Sequence, residues 1–156
     1  MGIMIRIKCK TCNASNEMNL GVGMMYSPSN VFEHSAGQML RELVEDDAIT
    51  DKALSLLSTE CGKPGDYGNA AYFCPVCRDA KQKFFFQIIE QSSDGDEKLK
   101  YEPEYVCSIC GNVLMHISLG WGEGSKELER KLRDSGWRCR KCESEDIQCE
   151  DFGHWD

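Results

Sequence analysis

No run of eighteen apolar residues occurs in the 156-residue chain, which leaves no segment suited to a transmembrane helix. The first ten residues hold only a few apolar side chains before Arg6, Lys8 and Cys9, too few for the apolar stretch of a secretory leader, so a cytoplasmic chain is expected. Proline is scarce, at four, and no low-complexity linker separates one part from another, so the two halves of the chain are expected to pack together. There is no phosphate-binding loop of the Walker type, and Gly21-Val-Gly23 lacks the third glycine of a dinucleotide fingerprint. The three histidines, His34, His116 and His154, are scattered. Ordinary core formers are also in short supply. Eleven Leu, nine Ile, six Val and six Phe make 32 of 156 residues, just above the rough 20% level below which a charged chain stays disordered. Either such a chain is loosely folded or something besides apolar burial holds it.

What the chain has instead is cysteine, ten in all. Eight fall into four C-x-x-C pairs: Cys9/Cys12, Cys74/Cys77, Cys107/Cys110 and Cys139/Cys142. A disulfide framework expects a secreted protein and scattered spacings, whereas a repeated two-residue spacing points to metal. Two thiolates on one tight turn, with backbone N–H groups aimed at the sulfurs, form half of a tetrahedral site with Zn–S near 2.3 Å. Four halves make two four-cysteine sites, and the cofactor expected is two Zn²⁺ per chain. All eight ligands come from the protein, which leaves no open coordination position and no metal-based catalysis. No catalytic residue and no other cofactor-binding residue is assigned, and no enzyme is expected. His116, in a strand expected over residues 112–119, reads as structural. Cys61 and Cys149 remain over, with no base identified beside either, and are expected to be reduced thiols that react quickly when the eight ligands are occupied.

A knuckle turn needs a left-handed residue after its second cysteine, which suits Asn13 and Gly111. Arg78 and Glu143 suit it less well, so those two turns are expected to differ in detail. Pro75 presets φ in Cys74-Pro-Val-Cys77. Lys8, Lys10, Arg78, Arg138, Arg140 and Lys141 crowd the knuckles, where they offset thiolate charge or, in the sharper reading, bind phosphate.

Four knuckles can pair in three ways. Sequential pairing gives tandem ribbons and is preferred for its lower loop-closure cost. Nested pairing joins the second knuckle with the third and the first with the fourth. It has support of its own: Lys83-Phe-Phe-Phe-Gln-Ile-Ile-Glu90, the polar turn Ser92-Ser-Asp-Gly-Asp96 and the run from Leu99 to Val106 read as one hairpin with a knuckle at each end. Acidic Asp94, Asp96 and Glu97 at its tip are ordinary turn chemistry. Two stretches read as helical. Over residues 36–59, Met39, Leu40, Leu43 and Val44 and then Ala53, Leu54 and Leu57 recur at helical spacing, with Thr50 as an N-cap and Gly62 and Pro64 as the stop. Residues 125–134 follow, with Ser125 as cap, Leu128 and Leu132 one turn apart and Gly136 closing. The tail after Glu143 is expected to be solvated beyond one last strand, with Phe152 and Trp155 able to dock.

Leu20-Gly-Val-Gly-Met-Met-Tyr26, Asp66-Tyr-Gly before Tyr72-Phe-Cys-Pro-Val-Cys77, and Tyr101-Glu-Pro-Glu-Tyr-Val-Cys107 resemble segments of small uncharacterised bacterial zinc-ribbon proteins with four C-x-x-C knuckles. The resemblance covers most of the chain. It implies a double four-cysteine zinc ribbon with rubredoxin-like knuckles, a helical segment between the first two knuckles, and no activity. More distantly, each ribbon is similar to the four-cysteine ribbons of transcription elongation factors and RNA polymerase subunits, a match that carries over no catalytic residue.

The fold expected is therefore a small metal-stabilised β-rich (α+β) protein. An N-terminal zinc ribbon, residues 1–98, would carry a helical insertion at about 35–60. A C-terminal ribbon, residues 99–156, would carry a short helix at about 125–135. The formal net charge is −8; eight thiolates and two Zn²⁺ take it to about −12, which repels backbone phosphate. One stretch runs the other way. Residues 126–141 hold seven cations (Lys126, Arg130, Lys131, Arg133, Arg138, Arg140, Lys141) against Glu127, Glu129 and Asp134, flanked by Trp121 and Trp137. The plainer reading is a solvated helix face with tryptophans in the core. The function expected is a zinc-binding adapter module with a protein partner and no membrane association. The runner-up is a transcription-associated or nucleic-acid-binding protein using that basic surface, and a thiol redox or rubredoxin-like iron protein comes third.

Overall fold

Alternation sets the first strand: Ile5, Ile7 and Cys9 lie buried on one face of Gly2–Cys9 with residues nearer solvent between them. The computed structural model describes residues 2–59, 61–91, 96–120 and 122–155, with only the backbone at positions 35 and 36. In chain order its strands and α-helices are β1 (Gly2–Cys9), β2 (Ser15–Leu20), α1 (Gln38–Val44), α2 (Asp47–Leu57), β3 (Gly62–Cys74), β4 (Asp79–Gln91), β5 (Glu97–Tyr101), β6 (Met115–Ile117), α3 (Ser125–Asp134) and β7 (Ile147–Trp155), with a short π-helix (Ser29–Glu33) and a 3-10 turn (His34–Gly37) before α1. They form two sheets, ordered β2-β1-β7 and β5-β4-β3-β6. No helix among the described residues is long and apolar enough to cross a membrane.

The chain folds into two compact units, whose segments alternate along the sequence. They do not follow the expected boundary at residue 98. The first comprises Met1–Gly21, Asn69–Lys83 and Glu104–Asp156. Within it β1 lies between antiparallel β2 and β7, with Ile5 opposite Met18, Ile7 opposite Cys149 and Cys9 opposite Ile147. Leu128 and Leu132 of α3 and Trp137 complete a core with Ile5, Ile7, Phe73 and Ile147. The tail is thus ordered in β7 up to Trp155, whose indole N–H donates to Leu20 O at 3.1 Å, while Arg6 lies over the Phe152 ring at 4.6 Å.

The second unit comprises Val22–Gly68 and Phe84–Pro103. Its core is aliphatic and aromatic: Val31, Phe32, Leu40, Val44, Ala53, Phe84, Phe86 and Ile88 are buried. Phe32 meets Tyr67 edge-on at 5.3 Å and Phe86 at 6.2 Å. The helical segment is divided where Glu45 turns left-handed (φ 55°). Asp46, and not Thr50, then caps α2, its carboxylate accepting from the Ile49 N–H at 3.1 Å. Thr50 is buried one turn in, its hydroxyl donating to Asp46 O. β4 and β5 pair as the expected hairpin, Gln91 with Glu97 and Ile88 with Tyr101, but β5 ends at Tyr101 and does not run on to Val106 and the third knuckle as expected. Pro103, which cannot donate to a ladder, follows the end of β5, and Val106 makes only an isolated bridge to Val113. The hairpin tip, residues 92–95 including Asp94, lies outside the described residues, as do Glu60 and Trp121.

Candidate metal centres

All four C-x-x-C segments close the same turn. The N–H of Asn13, Arg78, Gly111 and Glu143 donates to the carbonyl of Cys9, Cys74, Cys107 and Cys139 at 2.7–2.9 Å. Each donor is left-handed, at φ 60°, 54°, 72° and 60°. Arg78 and Glu143 therefore do not make different turns, and carry side chains where Asn or Gly is at ease. Further N–H groups point at the sulfurs, as from Cys77 to Cys74 Sγ at 3.3 Å.

The knuckles meet in nested order. Cys9, Cys12, Cys139 and Cys142 form one tetrad, and Cys74, Cys77, Cys107 and Cys110 the other, with all sulfurs of a group within 4.8 Å of one another. The sequential pairing preferred on loop length does not occur. Antiparallel β1 and β7 bring the first and last knuckles together, and the join is reinforced by Lys10 N–H to Asp146 O at 2.9 Å and Thr11 Oγ to Ser144 Oγ at 2.7 Å. The alternation of Ile3, Ile5, Ile7 and Cys9 was the sequence signal for this strand, and it leads straight into the first knuckle. Both tetrads belong to the first unit.

The spacing suits a tetrahedral ion. Zn–S bonds of about 2.3 Å set sulfurs roughly 3.8 Å apart. Across the knuckles, Cys9 and Cys142 lie 3.6 Å apart, Cys12 and Cys139 3.5 Å, Cys74 and Cys110 3.4 Å, and Cys77 and Cys107 3.8 Å. All are far beyond the ~2.05 Å of a disulfide. In each tetrad the first cysteine of every pair is buried and the second lies nearer solvent.

The thiols compete for charge. Burial acts to raise Cys9, but the N–H groups of Cys12 and Thr11 outweigh it and bring it down to about 6. Its partner Cys142 is pushed up to about 12, because burial and the Cys12, Cys9 and Cys139 thiols overcome the Ser144 N–H that would lower it. In the second tetrad the Cys110 thiol, with burial, pushes Cys77 up to about 12, and burial raises Cys74. The N–H groups of Ile109 and Cys110 lower Cys107, and that of Asn112 lowers Cys110 to about 6. Four thiolates this close ionise together only around a cation, so each set can hold a metal ion.

The two remaining cysteines differ. Cys61 is exposed. Cys149 is buried in β7, and burial, with Glu129 and Asp151 beside it, pushes its thiol up to about 12. The expectation that both react quickly therefore fails for Cys149. His116 lies in β6, stacked on Tyr72 at 5.1 Å. Among the cations of residues 126–141, Arg130 pairs with Glu127 and Asp134, Lys131 with Glu123 and Glu127, Arg133 with Glu129, Arg138 with Glu145 and Arg140 with Asp79. Trp137 is buried.

No protein-family model, no curated protein and no solved structure matches the chain. The resemblance to zinc-ribbon proteins rests on motif residues alone.

Proposed function

We propose that the protein is a zinc-stabilised, non-enzymatic binding or adapter module of the cytoplasm, built on two structural four-cysteine ribbons. The observation that carries the reading is the two sulfur tetrads at tetrahedral spacing, each assembled from two identical knuckle turns. Four protein thiolates per ion leave no vacant position for a substrate, which favours a structural role over a catalytic one. Iron fits tetrahedral sulfur as well as zinc does, and a red purified protein would mark it. The ion pairs along residues 126–141 favour a protein partner over nucleic acid, because most of those cations already face carboxylates.

Elemental analysis of metal-replete protein is expected to return two zinc ions per chain. Cys9→Ser and Cys110→Ser should each lose one, the double variant both. One ion or none in the unmodified chain sinks the reading. Single-stranded DNA should bind no tighter than roughly 10⁻⁴ to 10⁻⁶ M at physiological salt, the non-specific range. A sub-micromolar affinity abolished by neutralising Arg130, Lys131, Arg138 and Arg140 would promote the nucleic-acid reading instead.

A further inference from the structure

We propose that the two candidate metal sites load as a coupled pair, an ion in the tetrad of Cys74, Cys77, Cys107 and Cys110 strengthening binding at the other tetrad, and the reverse. The proposal rests on the metal reading above and adds a linkage between its two sites.

The second and fourth knuckles belong to different tetrads but meet within one unit. Cys77 and Arg78 of the second and Arg138, Cys139 and Arg140 of the fourth line the same cleft of about 490 Å³. Two contacts join them. The Arg138 N–H, one residue before Cys139, donates to Arg78 O at 2.9 Å. Arg140, one residue after Cys139, sets its guanidinium 3.6 Å from the Asp79 carboxylate, which also pairs with Lys81 at 3.0 Å. Cys139 is thus held on both sides by residues 78 and 79, the segment that leaves Cys77. Ala80, next along that segment, is buried in the same core as Cys9 and Cys139.

The ion pair is the weaker link, because Arg140 is half exposed and the separation is long. The backbone bond is the stronger, and each of its ends depends on a knuckle. Arg78 is left-handed at φ 54°, a conformation that a residue other than glycine keeps only where its surroundings impose it. Here they are the turn from Cys74 to Cys77, which the Arg78 N–H closes on Cys74 O at 2.7 Å. An ion bound by Cys74 and Cys77 fixes that turn and with it the direction of Arg78 O. At the other end, Arg138 leads into the fourth knuckle, where the Cys139 N–H donates to Ser144 O and the Glu143 N–H to Cys139 O. The joining bond reaches full strength only when both turns are closed. A contact that needs both sites ordered is a coupling free energy, and linkage makes it reciprocal. One backbone hydrogen bond supports a factor of about five.

The test titrates Zn²⁺ into the full chain against a chromophoric chelator of known affinity, beside two single-site variants. Cys107→Ser with Cys110→Ser empties one tetrad, and Cys9→Ser with Cys12→Ser the other. Both leave the second and fourth knuckles intact. The product of the two stepwise association constants of the unmodified chain should exceed the product of the single-site constants by about fivefold or more. Arg138→Pro, placed in all three proteins, removes the donating N–H and should bring that ratio to about one. Arg140→Gln should lower it less than about twofold. Amide exchange gives a second measure that needs no proline. With Cys107 and Cys110 replaced and zinc in the remaining tetrad, the Arg138 amide should exchange several-fold faster than in the two-zinc chain, and the Asn13 amide, which closes the first knuckle, should change less. Stoichiometry separates the two readings: two ions in the unmodified chain and one in each variant uphold the metal sites whatever the ratio. With two ions bound, a ratio of one in the unmodified chain, a ratio that survives Arg138→Pro, or unchanged exchange at Arg138 would each overturn the coupling. Fewer than two ions would overturn both readings.

Discussion

At the scale of single residues, the four positions that close the knuckles isolate one physical effect. Gly111 is left-handed at φ 72° with nothing within 4 Å of where a Cβ would stand, so Gly111→Ala introduces conformational strain and no clash. It should cost about 1 kcal/mol in chemical denaturation of the metal-loaded protein. Glu143→Gly, at φ 60°, should be neutral or stabilising by up to about 1 kcal/mol. Equal losses in both variants would mean that the side chains and not the backbone decide. The spare thiols offer a second test. Thiol reagents at neutral pH should label one cysteine quickly in the metal-loaded protein, and Cys61→Ser should abolish that phase. Because its thiol is held up to about 12, Cys149 stays protonated in the folded chain across the pH range where an ordinary cysteine ionises. Its labelling should accelerate as pH rises towards 12, and a fast second phase at neutral pH would contradict its burial.

At the scale of elements, α3 shows how a polar sequence makes a stable helix. Ser125 begins α3 but does not cap it through its own neighbours. Its N–H and hydroxyl both donate to the Asp151 carboxylate of β7, at 3.0 and 2.8 Å. The Glu129 carboxylate accepts from the Cys149 N–H at 2.9 Å, a second tie between the same two elements. Asp151→Ala should therefore act as the loss of a helix cap and cost about 1 kcal/mol or somewhat more, although the residue lies 26 positions away. Leu128→Ala or Leu132→Ala, at positions with no exposure, should cost about 2–5 kcal/mol in the same melts. A smaller loss at the leucines than at Asp151 would show that α3 is held by its polar ties and not by its apolar face.

At the scale of the whole molecule, charge and metal divide between the units. Counting along the sequence, Val22–Gly68 with Phe84–Pro103 holds thirteen carboxylates against five cations, net −8. The unit with both tetrads has thirteen of each, net zero before metal binds. The acidity of the chain is thus a property of the unit that holds neither tetrad, and the basic stretch of residues 126–141 belongs to a far less negative unit than the total of about −12 suggests. Metal removal should act just as unevenly. A structural zinc ion contributes on the order of 10 kcal/mol or more per site, and among the described residues both candidate sites lie in one unit. Strong chelation should abolish amide-exchange protection at Ile5, Ile7, Phe73 and Ile147. Protection around Leu40, Val44 and Phe86, where an aliphatic and aromatic core carries the burial, should persist in part. Intact protection of both sets after chelation would show that apolar packing alone suffices.

The eight candidate ligands were legible in the sequence because a C-x-x-C turn is local: one carbonyl, one N–H four residues on and a left-handed residue complete it. The apolar spacing of α3 and the β4–β5 hairpin were legible for the same reason, since near neighbours along the chain settle them. The caps were not. Asp46 displaced Thr50, and Asp151 took a role no neighbour of Ser125 could fill. Nor was the pairing of the knuckles. Nested closure brackets 29 and 126 residues where sequential closure brackets 61 and 28, a difference in chain entropy of only about 0.7 kcal/mol because closure cost grows with the logarithm of length. So small a preference yields to any extended long-range contact. Here the contact is the ladder of β1 with β7, which buries Ile5, Ile7 and Ile147 and carries the first and last knuckles to one site. The identity of the thiols is written in the chain, but which of them come together was decided by strand register between β1 and β7.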